Sequence, residues 1–317
     1  MHELSWGLPV VAYLFLAGLG AGALTVSASV LLRGGPTSTH FDVARYGALI
    51  APIPVALGCG LLVFELGSFQ VGHWFRWLNL YKVINLSPMS VGTWLLTFFI
   101  GVSALYSYTF LSRDAAPGDK YDGLRRKIAW LGVPLGIGVA IYTGVLLGAM
   151  PARPFWNSPI LAMLFLLSAI STGVAAILLT RALMHRHSEN AEVERRYHES
   201  GYLLTASDTL LIGLELVTIF LFLMYAHLTI GNVKAAVSII LSGGALASLF
   251  WFWVVLLGLV IPALIELYLI VPRLIYHREF AVHRSFEIVV PAAVLVGGFM
   301  LRYVVVIAGQ ITHPVGL

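Results

Sequence analysis

Leu8-Pro-Val-Val-Ala-Tyr-Leu-Phe-Leu-Ala-Gly-Leu-Gly-Ala-Gly-Ala-Leu-Thr-Val-Ser-Ala-Ser-Val-Leu-Leu32 runs without a charged side chain until Arg33. At 1.5 Å of rise per helical residue it reaches roughly 37 Å, enough to cross a hydrocarbon core of about 30 Å. Backbone polar groups in hydrocarbon must bond within their own segment, so the run reads as a helix. Seven more stretches share this character, and the predicted spans lie near 8–32, 47–69, 90–111, 128–149, 158–181, 206–228, 247–271 and 287–309. The expected fold is an all-α integral membrane protein with eight transmembrane helices. Ala235 to Val271 is too long for one span, and Ser242-Gly243-Gly244 predicts a surface segment ahead of the seventh helix.

Composition agrees. Of 317 residues, 59% are hydrophobic and 11% charged, with a mean hydropathy of +0.90. So few charges cannot cover a soluble surface. The basic residues cluster between apolar runs, which marks topology and argues against a nucleic-acid partner. Fourteen of the 19 Lys and Arg fall in the first, third, fifth and seventh connections, and five fall elsewhere. Positive charge is retained in the cytoplasm, so both termini are expected outside, with the protein in the cytoplasmic (inner) membrane. Arg125-Arg126-Lys127 and Arg195-Arg196 then read as a solvated cytoplasmic face.

Several chemistries are disfavoured. Cys59 is the sole cysteine. It rules out an internal disulfide, an iron–sulfur cluster held by cysteines of this chain, and a CxxCH haem attachment; it reads as a small buried hydrophobe. The ten histidines lie in tails, loops or span margins. Bis-imidazole haem needs central ones, so no haem is expected, nor any metal site. Gly18-x-Gly20-x-Gly22 lies inside a span and serves close helix packing rather than phosphate binding. Met1-His2-Glu3-Leu4-Ser5 lacks a basic n-region, so no cleaved signal peptide is expected.

An internal repeat organises the sequence. Pro9-Val-Val-Ala-Tyr-Leu-Phe-Leu16 recurs as Pro159-Ile-Leu-Ala-Met-Leu-Phe-Leu166, and Leu61-Leu-Val-Phe-Glu65-Leu66 as Leu211-Ile-Gly-Leu-Glu215-Leu216. Val133-Pro134 matches Val290-Pro291 at a slightly larger offset. The expected arrangement is two four-helix bundles, residues 1–150 and 151–317, related as a parallel repeat. Tyr13 then corresponds to Met163 and Tyr142 to Phe299, so only the first bundle keeps the hydroxyls.

Ionisable groups inside a membrane are costly and mark candidate function. In the first bundle Tyr13 lies ~8 Å below the outer end of helix one and Tyr142 ~12 Å below that of helix four, with Glu65 at a similar level in helix two. His73, Arg76 and Arg153 occupy the adjoining outer loops. Phenols, a carboxylate and an imidazole suit a quinone, whose carbonyls need donors and whose redox change moves two protons with two electrons. Tyr13, Glu65, His73, Tyr142 and Arg153 are therefore the candidate quinone-binding residues. In the second bundle Asp208, Glu215, Glu266 and Arg302 form either a proton-transfer ladder or a buried ion-pair network. Asp208 and Glu215, seven apart, share a helix face, and Arg302 requires a partner.

Across essentially its whole length the chain resembles the NrfD/polysulfide-reductase membrane-subunit family. The resemblance is carried by Tyr13-Leu-Phe-Leu-Ala-Gly-Leu-Gly-Ala-Gly22, Ser87-Pro-Met-Ser-Val-Gly-Thr-Trp94, Tyr142-Thr-Gly144, Arg153-Pro-Phe-Trp-Asn157 and Gly297-Gly-Phe-Met-Leu-Arg302. It implies a haem-free anchor of eight helices that exchanges electrons between a quinone pool (menaquinone or ubiquinone) and an extrinsic multi-cluster iron–sulfur subunit, often beside a molybdopterin catalytic subunit. It places the quinone near the outer face and Tyr142 against it. Tyr13 stands where the polysulfide-reductase branch has a histidine. A phenol there still donates a hydrogen bond but does not relay protons near neutral pH. The rival readings are a proton-translocating subunit and a secondary transporter.

Overall fold

The computed structural model describes residues 6–34, 40–65, 78, 81, 87–112, 115–185, 190–229, 231–241, 243–276, 280 and 282–312. Eight helices long and apolar enough to cross a membrane dominate it: α1 (Leu8–Gly34), α2 (Phe41–Phe64), α3 (Pro88–Thr109), α4 (Asp122–Gly148), α5 (Pro159–Met184), α6 (Ala191–Leu228), α7 (Leu249–Tyr276) and α8 (Arg284–Ile311). The expected multi-pass membrane fold is thus observed. A short helix, Asn232–Val237, and a tight turn at the positive-φ Gly243 form the surface segment expected before α7.

α1 and α5 are the central helices. Of their most apolar windows 72% is buried, against 28% for α2 and 33% for α3, α6 and α7. The reason is small residues at their crossing. A Cβ added to Gly22 would overlap the Ala169 carbonyl, and one added to Gly173 would overlap the Gly22 backbone. In lipid no hydrophobic force separates helix faces from tails, so such close van der Waals packing holds spans together. α1 also packs on α2, α4 and α8, while α5 meets α4, α6 and α8; α3 closes against α4, and α7 against α6 and α8. The apolar residues left outside, among them Phe98, Trp130, Leu210, Phe220 and Tyr268, form the surface that lipid covers.

The two ends of the helical array meet. The Trp6 amide donates to Gln310 Oε1 at 2.8 Å, and Gln310 Nε2 donates to the Trp6 carbonyl at 2.9 Å. The face bearing these groups is termed the terminal face, and the opposite one the basic face.

The structure departs from expectation at two places. Arg125 is not a solvated basic-face residue: it is fully buried. It forks onto Asp119 with two 2.8 Å bonds and donates to the Thr109 carbonyl at 2.6 and 3.2 Å, so it caps α3 from the start of α4. Helix six also begins well before 206. Residues 191–205 extend it beyond the apolar window, held by Asn190 as N-cap and by Glu192 paired with Arg195 and Arg196.

The first half of α7 is a π-helix, Leu249–Val260, an uncommon form often found near functional sites. Pro262 follows it. In a regular α-helix its ring would clash with the carbonyl four residues back, at Gly258. Wider turns upstream relieve that clash, and Gly258 at the same level lies backbone to backbone on Gly297 of α8.

Candidate functional site

Four helices bring small and hydroxyl-bearing residues together beneath the terminal face. Tyr13 of α1 is 1% exposed and Tyr142 of α4 is 9% exposed. Counting from the helix ends at Leu8 and Gly148, both lie roughly 8–9 Å inside. Neither hydroxyl has a hydrogen-bond partner among the described residues. Two phenol donors thus lie on one level beneath the terminal face.

Glycines fit the phenols into place. Gly58 of α2 brings that helix against the Tyr13 backbone; an added Cβ would sit 3.3 Å from Tyr13 Cα. Gly92 of α3 does the same for Tyr142, whose hydroxyl occupies the space an added Cβ would take. The Ser87-Pro-Met-Ser-Val-Gly92 stretch therefore has a physical meaning. Ser87 caps α3 by accepting from the Ser90 amide at 3.3 Å, Pro88 opens its first turn, and Gly92 one turn later admits the phenol. Gly92 carried no signal as a site residue by itself, because its role depends on a helix fifty residues away. Cys59, the next residue along α2 after Gly58, is half-buried and lies on the same side of the bundle as the tyrosines, close enough to interact electrostatically with both.

Of the other expected residues, only Arg153 is fully described. Helix α2 reaches Glu65, whose side chain lies outside the described residues, as does all of His73 and Arg76. Arg153 sits in the α4–α5 loop and donates to the Gln310 carbonyl at the end of α8 at 2.8 Å. Its neighbour Trp156 donates from Nε1 to the Val305 carbonyl at 2.8 Å and stacks on Trp6 with ring centroids 5.3 Å apart. The Arg153-Pro-Phe-Trp-Asn157 segment thus clamps the α4–α5 loop to the end of α8 and stacks it on Trp6 ahead of α1 on the terminal face. Tyr13 and Tyr142 are brought together with Cys59 and Gly92; Arg153 is engaged with α8.

In the second half the four charged groups divide into two pairs. Arg302, fully buried on α8, donates from Nη1 to Ser168 Oγ at 2.6 Å and to the Gly298 carbonyl at 2.9 Å. Ser168 also hydrogen-bonds Glu215, so this hydroxyl of α5 bridges cation and carboxylate. The guanidinium lies 5.3 Å from the Phe165 ring and 5.9 Å from Phe15, and an added Cβ at Gly18 would come within 3.1 Å of Nη2. Asp208, despite the seven-residue spacing, turns to α7 and α5: Ser171 Oγ donates to it at 2.7 Å, and its carboxyl meets that of Glu266, which accepts from Thr209 at 2.8 Å.

A family model described as "Polysulphide reductase, NrfD" matches residues 1–314. The chain belongs to the NrfD family. It is 30% identical to the polysulfide reductase C chain of Wolinella succinogenes over 317 residues, covering 96% of this sequence and 94% of that one. It is also 30% identical to protein NrfD of Escherichia coli, covering 98% and 96%. A more distant relative, the selenate reductase C subunit of Mesobacillus selenatarsenatis, is 25% identical over 81% of this sequence and 65% of its own. The protein is accordingly an NrfD-family multi-pass membrane protein. The α3 start that admits Tyr142 and the loop that clamps α4 to α8 both lie within the matched residues.

Proposed function

We propose that this chain is the quinone-reactive membrane subunit of a respiratory reductase complex in the bacterial inner membrane. Relatives named as components of polysulfide and selenate reductases support the coarser part of the reading. One observation carries the finer part: two buried phenols from α1 and α4, on one level beneath the terminal face, have no acceptor among the described residues. A quinone offers two carbonyl oxygens on an otherwise apolar ring, which matches that donor pair and its apolar surroundings.

In this reading the quinone supplies the two-electron, two-proton redox change. Tyr142 and Tyr13 orient the head group by donating to its oxygens, and Gly92 and Gly58 keep the phenols in register. The clamp at Trp156 and Arg153 holds α1, α4 and α8 together at the surface where an extrinsic iron–sulfur subunit, and beyond it a molybdopterin catalytic subunit, would dock. By the positive-inside rule the terminal face is extracytoplasmic.

The test is Tyr142→Phe in the full chain, with a fluorescent quinone-site inhibitor titrated into purified protein and quinone-linked electron transfer measured in membranes. Loss of one neutral hydrogen bond weakens binding by about fivefold, from ~1 kcal/mol. Unchanged affinity together with unchanged quinone-linked turnover refutes the assignment.

A further inference from the structure

On the basic face, away from the phenols, a cleft opens between α5, α6, α7 and α8. It is lined by Arg181, Tyr197, Gly201, Thr205, Glu287 and, at its inner end, Glu266. Its mouth is ordered. Arg181 is buried and donates to the Tyr197 carbonyl at 2.8 Å and to Ser200 Oγ at 2.7 Å, and the Tyr197 hydroxyl donates to Glu287 Oε2 at 3.2 Å. The cavity measures about 40 Å³. That is room for roughly three waters and far too little for a transported solute.

At the inner end stand two carboxyls that cannot both be ionised. Glu266 is 1% exposed and Asp208 is fully buried, and their carboxyls are in hydrogen-bond contact. Two carboxyl groups hydrogen-bond each other only when one carries a proton. Glu266 Oε1 and Asp208 Oδ2 have no donor among the described residues, so a shared proton is the hydrogen available to them. The nearby cation is committed elsewhere: Arg302 is joined through Ser168 to Glu215. Arg181, the other buried guanidinium here, is held at the mouth by Tyr197 and Ser200, so neither cation pairs with Glu266 or Asp208 and a proton relieves their charge.

We propose that this cleft is a proton inlet, in which water entering from the basic face reaches Glu266 and exchanges protons with the Glu266–Asp208 pair. A proton arriving on Glu266 lets the shared proton pass to Asp208, and the reverse sequence releases it to the cleft water; no oxidant or second reactant is needed. Ser171, bonded to Asp208, and Ser168, bonded between Arg302 and Glu215, continue the polar groups along α5. The inlet does not rest on the quinone reading, and its test uses no quinone.

The test is infrared spectroscopy of the full chain in lipid nanodiscs on transfer to D₂O. The expected result is a protonated-carboxyl C=O band that is lost in Glu266→Gln or Asp208→Asn and shifts rapidly in the wild type. Gly201→Trp places an indole in the cleft and should slow that shift by about tenfold, whereas Leu210→Trp on the lipid surface should leave it unchanged. Absence of a band removed by either carboxyl variant overturns the shared proton. An exchange rate indifferent to Gly201→Trp, with the fold intact by circular dichroism, overturns the inlet.

Discussion

Gly92→Ala is the sharpest perturbation of the phenol site, because it adds one methyl group and nothing else. At Gly92 that methyl would overlap the Tyr142 hydroxyl and ring, whereas at Gly101, on the lipid side of the same helix, it would meet nothing within 4 Å. Both substitutions gain the same helix propensity, about 1 kcal/mol. Their difference therefore isolates the overlap, and inserting a methyl into packed structure costs about 1–3 kcal/mol. The relief available to the protein is rotation of Tyr142 away from α3, which withdraws its hydroxyl from the level of Tyr13. Binding of a quinone-site inhibitor should then weaken about fivefold, for a lost bond of ~1 kcal/mol. Thermal unfolding in detergent and fluorescence titration of the two variants side by side provide the assay. Equal stability and equal affinity in Gly92→Ala and Gly101→Ala would show that α3 does not wall the pocket.

Two further outcomes follow from the packing. Trp156→Phe removes the 2.8 Å bond to the Val305 carbonyl and leaves a void beside Gly309, so unfolding stability should fall by about 2–4 kcal/mol; hydrogen exchange at Trp6 and Gln310 should rise with it, and an unchanged rate would deny the clamp. Partial burial acts to raise the Asp119 carboxyl, but the hydrogen bonds and charge of Arg125 with the Tyr121 and Ala116 amides outweigh it and hold the group below its ordinary 3.8. A carboxyl depressed in the folded state stabilises above its unfolded value and loses that contribution as pH falls through the folded one. The wild-type advantage over Asp119→Asn in thermal unfolding should therefore be complete at neutral pH, begin to fall near about pH 4 and vanish only as the pH drops through the depressed folded value; an advantage that persists in stronger acid contradicts the fork.

The spans were legible because the membrane imposes one requirement, an uncharged run long enough to bond its own backbone, and that requirement is written in consecutive residues. What escaped was set by neighbours. The start of α6 is a charged helix whose support comes from Glu192 reaching Arg195 and Arg196, a pattern that hydropathy does not register. Arg125 looked like its neighbours Arg126 and Lys127, yet helix geometry turns that one side chain inward to the Thr109 carbonyl. The π-helix of α7 goes with Pro262, which a hydropathy window does not weigh, and with a glycine contact on α8 that no local window shows.

The charged residues of the second half show most plainly how pairing is decided in three dimensions. Spacing placed Asp208 and Glu215 on one face of α6, and that is where they are, but sharing a face did not make them partners. Seven residues along a helix separate two side chains by about 10 Å, enough for each to meet a different neighbour. Asp208 finds Glu266 of α7, and Glu215 finds Arg302 of α8 through Ser168 of α5. The choice between a ladder and an ion-pair network therefore dissolves into two devices. The Arg302 end is linked to Glu215 through Ser168 by Nη1, its Nε and Nη2 unpartnered among the described residues, and it packs against Gly18 and two phenylalanine rings, suited to fixing α8 on α1 and α5. The Glu266 end adjoins a water-sized cleft whose one cation, Arg181, is held at the mouth by Tyr197 and Ser200, and in the proposed inlet a shared proton takes the place of an ion pair. Converting one into the other should require moving a single charge. Leu269→Arg, from the wall of the same cleft, would supply the missing cation and should abolish the protonated-carboxyl band while leaving the Glu215–Arg302 pair in place. A band that survives Leu269→Arg would mean that something other than a missing cation keeps the proton there.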